Sequence, residues 1–183
     1  MSRVCVFLAE GFEEVEGLTV ADLLRRAEIE VITVSISDTK EVTGAHGITV
    51  MADALFEEVN YSSVDMLVLP GGMPGTKNLK ESEKLTELLT EWNGDSKKLA
   101  AICAAPSVFG GLGFLQGRCA VCYPGFETAL AGAVIGTHNV ETDGHITTSK
   151  GPGTAMEFSL KLISLLAGEE KSAQVRAGLL YQA

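Results

Sequence analysis

Hydrophobic residues along this chain fall into short unbroken runs, separated by stretches where they recur at helical spacing. Val4 to Ala9 is wholly apolar, Val31 to Ile36 carries a second β-type run, Val64 to Leu69 is almost wholly apolar, and Leu99 to Ile102 is a fourth such run. Runs this short and continuous predict strands buried on both faces, as in a parallel sheet. Between them, Val15, Leu18, Ala21 and Leu24 repeat at helical spacing after Gly11-Phe12-Glu13-Glu14, and Leu85, Leu88, Leu89 and Trp92 form a second stripe. The segment Thr154 to Leu166 predicts an amphipathic helix opened by Gly151-Pro152-Gly153, with a last helix from about Glu169. Two hairpins are expected: a small or irregular one in Glu41 to Met51 around Gly44-Ala45-His46-Gly47, and one in Val140 to Thr148 around Asp143-Gly144. Alternating β and α elements of this kind predict an α/β sandwich around a mostly parallel sheet. With no internal repeat, low-complexity segment or linker, residues 1–183 are expected to form a single domain.

Composition changes this picture mainly by exclusion. The net charge of −10 repels nucleic-acid phosphates and disfavours an anionic membrane surface. No basic segment precedes the first strand, and no apolar stretch reaches bilayer length, so a soluble, cytoplasmic protein is expected. The four cysteines are Cys5, Cys103, Cys119 and Cys122. Cys5 reads as core. Cys119 and Cys122 make a C-x-x-C, but Arg118 to Tyr123 reads as a strand, no second pair completes a zinc site, and the histidines are scattered. Structural thiols are therefore expected there, and neither a metal nor a cofactor is implied.

Cys103 is different. The run Leu99 to Ile102 delivers it into Ala104-Ala105-Pro106, and a Gly-rich apolar stretch from Ser107 to Gly113 follows. This predicts a buried strand, a sharp turn and a helix, with the thiol at the corner, where a helix N-terminus favours thiolate and small neighbours leave sulfur approachable. In open parallel sheets, sites form at the carboxyl ends of strands near the topological switch point. Ala9 to Glu16, Pro70 to Gly75 and Cys103 to Pro106 all occupy such positions. Gly71 and Gly72 allow bare amides to approach a ligand oxygen and, with the Ala104 amide, to form an oxyanion hole. The run Glu13-Glu14-Val15-Glu16 offers a carboxylate whose pKa would rise on burial beside the thiol. Singly, each signal has a bland reading: a buried strand cysteine, a Gly-Gly turn, and acidic residues serving a helix dipole.

Taken together, Glu13-Glu14-Val15-Glu16, Leu69-Pro70-Gly71-Gly72, Ala101-Ile102-Cys103-Ala104-Ala105-Pro106 and Thr148-Ser149-Lys150-Gly151-Pro152-Gly153-Thr154 resemble, in order, the motifs of the ThiJ/PfpI superfamily. Its Parkinson-disease-protein branch, with deglycase- and glyoxalase-like members, is the closest match. The resemblance implies a flavodoxin-like three-layer α/β/α sandwich, a homodimer, and an oxidation-sensitive cysteine at a nucleophile elbow. It assigns the reactive thiol to Cys103, its carboxylate contact to Glu16 and the amide pocket to Gly72 and Ala104. Gly71, His46, Tyr123 and the Pro152 loop would border the pocket. Two positions depart from the pattern. Peptidase-like members carry a His where this chain has Ala104, which removes a Cys–His protease. Glyoxalase-active members carry a His where this chain has Tyr123, and a phenol with a reference pKa of about 10 is a poor base near neutrality. His138 and His145 lie in or beside the predicted Asp143-Gly144 hairpin, where solvated rings are expected.

Three functions remain open on these residues. One is a cysteine-dependent enzyme for small reactive carbonyls or glycated adducts. The second is a redox-sensing, chaperone-like protein protective in oxidative stress, with Cys103 oxidised to a sulfinate. The third is a phosphate-binding module built on the Pro70 to Gly75 loop, which lacks the Lys of a P-loop.

Overall fold

The computed structural model describes residues 2–182. In chain order the elements are β1 (Arg3–Leu8), α1 (Glu14–Arg26), β2 (Glu30–Ser35), β3 (Glu41–Thr43), β4 (Thr49–Met51), β5 (Ala54–Leu55) and β6 (Met66–Leu69), then α2 (Gly75–Glu81), α3 (Glu83–Gly94), β7 (Lys98–Ile102) and α4 (Pro106–Gly111). They continue with β8 (Cys119–Ala120), β9 (Val134–Ile135), β10 (Val140–Asp143), β11 (Ile146–Ser149), α5 (Ala155–Ala167) and α6 (Glu169–Gly178). Seven strands share one sheet in the order β10-β11-β7-β6-β1-β2-β5, and every neighbouring pair is parallel except the β10–β11 hairpin.

The apolar runs produce this sheet because successive side chains of a strand face opposite sides. Val4, Val6 and Leu8 of β1 enter one hydrophobic cluster with Val20 and Leu24 of α1, Phe158 and Leu162 of α5 and Val175 of α6. Cys5 and Phe7 enter the other, with Leu79 of α2, Leu85, Leu89 and Trp92 of α3 and Phe109 of α4. The fold is thus a three-layer α/β/α sandwich with a mostly parallel sheet. From β1 the chain goes to β2 on one side, then crosses to β6 on the other. That reversal opens a crevice at the carboxyl ends of β1 and β6, with β7 beside it.

Two local expectations are corrected. In α1 the buried face is Gly17, Val20, Ala21 and Leu24 together with Glu14 and Glu16, while Val15 and Leu18 are 53% and 38% exposed. Hydrophobicity alone placed the stripe a residue or two away, because two carboxylates here point inward and two apolar side chains point out. Gly17 belongs to the packed face, since a Cβ there would lie 3.1 Å from the Phe12 ring. The strand expected over Arg118 to Tyr123 shrinks to β8, paired in parallel with β9 outside the main sheet, and Cys122 follows it. All four cysteines are free thiols.

Phe158 is fully buried between α5 and the sheet. Replacing it with Ala removes an aromatic ring from a packed interior and is expected to cost about 3–5 kcal/mol of unfolding free energy by urea denaturation. A loss under about 1 kcal/mol would mean that this layer does not hold the fold together.

Candidate active site

The strand β7 ends at Ile102, and Cys103 turns the corner at φ +67, left-handed backbone that a β-carbon disfavours. Backbone bonds hold it there: its amide donates to the Ser149 carbonyl at 2.9 Å, and its carbonyl accepts from the Tyr123 amide at 2.7 Å. Ala104 and Ala105 lead into α4, whose first residue, Pro106, has no amide to leave unsatisfied. The thiol is 8% exposed. Burial and the adjacent Glu16 push it up to about 12, while hydrogen bonds from the Ala104 and Gly72 amides pull the other way. The expectation of a thiolate favoured by a helix N-terminus is therefore reversed: α4 has six residues, and desolvation dominates.

Glu16 reaches the thiol from α1. Glu13 caps that helix with its side chain accepting from the Glu16 amide at 2.8 Å, and the Glu13 amide donates to the Gly71 carbonyl at 2.9 Å. The first turn is thereby rolled so that Glu16 points into the protein, fully buried. Its Oε2 accepts from the Gly71 amide at 2.7 Å, while Oε1 has no hydrogen-bond partner among the described residues. Burial pushes Glu16 up to about 7, against hydrogen bonds from Cys103 and Gly71 that lower it. The buried carboxyl and thiol thus titrate as a coupled pair, both held toward their neutral forms.

Gly71 makes the contact possible. A Cβ there would lie 2.6 Å from the Cys103 Cβ and 2.8 Å from Glu16 Oε2. Gly72 needs its φ of +89, and a Cβ there would lie 2.4 Å from the Glu13 nitrogen. Above the sulfur is a cavity of about 180 Å³ lined by Gly72, Met73, Cys103, Ala104, Tyr123 and Phe126. No charged side chain lines it.

This geometry can be set beside known proteins. The chain matches the DJ-1/PfpI family over residues 2–165. It belongs to that family. It is similar to Arabidopsis thaliana DJ-1 homolog B, at 39% identity over 97% of this chain, and spans only 41% of that longer relative. It is 32% identical to the Deglycase PYRAB04690 of Pyrococcus abyssi over 90% of this chain and 99% of that protein. The solved structure of oxidized Toxoplasma gondii DJ-1 superposes with a TM-score of 0.95 at 38% identity, covering 100% of both chains.

Among the residues expected from sequence, this DJ-1/PfpI chain brings Cys103, Glu16, Gly71, Gly72, Ala104 and Tyr123 to one corner. His46 and Pro152 are not among the residues lining the cavity. His46 instead donates its amide to Glu14 Oε1 at 2.7 Å and sets Nδ1 2.8 Å from Oε2, so the hairpin of β3 and β4 is tied to α1 rather than to the cavity. That hydrogen bond raises the His46 pKa, and burial of Glu14 is outweighed by its bonds to His46 and Ile48, which keep its carboxyl low. Glu13, Glu14 and His46 each bring a ligand atom within 4.8 Å of the others, but Glu14 is already saturated by the hairpin. His145 is not a freely solvated ring: its Nε2 meets Asn93 Oδ1 at 2.9 Å, and burial lowers its pKa. His138 is largely exposed, with Nδ1 2.8 Å from Glu141. Sequence reasoning missed Met73 and Phe126 as wall residues. Met73 was legible inside the Pro70 to Gly75 loop; Phe126 lies in irregular chain without a signal.

A folded-state pKa near 7 against an ordinary value of 4.5 means that folding favours neutral Glu16. Its contribution is therefore present below about pH 4.5 and is lost as pH rises through 7. Glu16→Gln removes the ionisation while keeping an oxygen for the Gly71 amide. The stability of this variant relative to wild type is expected to improve between pH 5 and pH 8, by up to about 3 kcal/mol. A difference that stays constant over that range in chemical denaturation would sink the assignment.

Proposed function

We propose that this chain is a cysteine-dependent enzyme acting on small reactive carbonyls or their adducts, of the glyoxalase or deglycase class. The observation that carries the reading is the convergence of the Cys103 thiol, the orphaned Glu16 oxygen and the Gly72 and Ala104 amides beside one small apolar cavity. The deglycase name of the archaeal relative supports the class.

Sulfur attacks the carbonyl carbon, forming the S–C bond while the π electrons move to oxygen. The thiol proton passes to Glu16, and the Gly72 and Ala104 amides hold the oxyanion. Return of that proton gives the hemithioacetal. With an α-oxoaldehyde, Glu16 then carries the aldehyde-derived C–H proton to the neighbouring carbon through an enediol, which reduces the ketone and oxidises the former aldehyde to a thioester. Water releases the 2-hydroxy acid and restores the thiol. A carboxyl near pKa 7 suits both directions of transfer. Tyr123 stands where glyoxalase-active relatives have a base, so a modest rate is expected.

A second reading, redox sensing through Cys103 with little turnover, is favoured by that tyrosine and by the buried acid positioned beside the sulfur. Lactate formation from methylglyoxal decides between them. Turnover by wild type with a loss of at least about a hundredfold in Cys103→Ala and Glu16→Gln supports the enzyme. Cys103→Ala as fast as wild type removes the assignment of catalysis to this thiol, and an inert wild type leaves the redox reading.

The chain is further proposed to pair with a second copy through α1 and the adjoining hairpin. Val15, Leu18, Ile48 and Met51 are exposed there, and the Glu14 contacts to His46 and Ile48 keep the two elements together. Val15→Glu places a carboxylate in a helix's first turn, where folding tolerates it. Sedimentation is expected to show wild type as a dimer and this variant shifted toward monomer. A monomeric wild type would overturn the pairing.

A further inference from the structure

At the opposite end of β7 from Cys103 lies a second cavity, of about 500 Å³, lined by Ser96, Lys98, Arg118, Gly144 and His145. Three segments build it: the start of β7, the residue preceding β8, and the two-residue turn joining β10 to β11. Four residues of strand lie between Lys98 and Cys103, which puts the two on the order of 16 Å apart along β7. In a protein of net charge −10, this cavity has no carboxylate among its lining residues.

Lys98 is half-buried and has no carboxylate partner among the described residues. Its neighbour Lys97 is committed elsewhere, 3.1 Å from Asp95 and over the Trp92 ring. Arg118 uses only Nη1 for the Asp143 carbonyl at 3.2 Å and the Asp143 carboxylate at 3.5 Å, leaving Nε and Nη2 without an acceptor among the described residues. Asp143 is itself turned toward β8, its Oδ2 accepting the Cys119 amide at 2.8 Å. Gly144, at φ +61, packs under the guanidinium so closely that a Cβ would lie 2.6 Å from Nη1. The His145 ring is fixed by its Nε2 contact to Asn93. The result is an ammonium, a held guanidinium edge and a hydroxyl around one opening.

We infer that this cavity binds a phosphate-bearing small molecule, a phosphomonoester dianion seated between Lys98 and Arg118. Lys98 brings a charge with no carboxylate partner, and Arg118 offers guanidinium donors that Asp143 leaves free, a planar edge that suits phosphate oxygens. The cavity exceeds what a phosphate group fills, leaving room for the ester's organic part. This site is separate from the Pro70 to Gly75 loop and does not depend on the chemistry proposed for Cys103.

The test is amide chemical-shift titration of the intact protein with inorganic phosphate and with glycerol 3-phosphate, against sodium chloride at matched ionic strength. Saturable shifts centred on residues 96–98, 118 and 143–145 are expected, tighter for the ester. Lys98→Gln, which breaks no side-chain hydrogen bond or ion pair among the described residues, is expected to weaken binding by at least about tenfold. Shifts reproduced by chloride, shifts centred on Gly71 to Gly75, or unchanged affinity in Lys98→Gln would each overturn the inference.

Discussion

The whole site depends on one carboxyl group, that of Glu16, buried without a cation. Ionised, it would carry its full desolvation cost with only the Gly71 amide and a thiol to offset it. The protein lives with this by holding the carboxyl and the neighbouring thiol toward their neutral forms. A salt bridge at the same position would have stabilised the carboxylate and removed its ability to carry a proton near neutrality.

Three loops must meet within a few ångströms for this pair to exist, and each does so through backbone chemistry. Glu13 caps α1 and joins its own amide to Gly71. Gly71 has no side chain to separate Glu16 from Cys103. Cys103 is held in a disfavoured conformation by bonds to Ser149 and Tyr123, which come from β11 and from the irregular segment after β8. Such strain persists only where surrounding structure over-determines it, and here the sheet supplies one anchor and the segment after β8 the other. The cavity above is then walled by Met73, Tyr123 and Phe126, which add no charge beside the thiol.

The same economy of space explains the polar residues outside the site. Glu14 is as buried as the core, yet it serves the hairpin of β3 and β4, not the thiol, because helical residues two apart point to nearly opposite sides, about 200° around the axis. The acidic run after β1 is therefore one capping residue, one clamp and one buried carboxyl beside the thiol, each placed by helix rotation.

Much of this could be read from the chain alone. Continuous apolar runs at Val4 to Ala9, Val64 to Leu69 and Leu99 to Ile102 determine a sheet buried on both faces, because every strand position must then be apolar. The switch-point rule places Cys103, Gly71, Gly72 and the acidic run at one end of that sheet. Tertiary structure decided the rest. Which glutamate turns inward depends on how the Glu13 cap rolls α1, so Val15 and Leu18 end up exposed against their hydrophobicity. Whether His46 lines the cavity depends on Glu14, 32 residues away in sequence. The titration of Cys103 follows from burial and from Glu16's charge, which overrule the short helix behind it. Local pattern reports which face a strand or helix must hide, but a proton's position is set by the through-space surroundings that only the folded chain assembles.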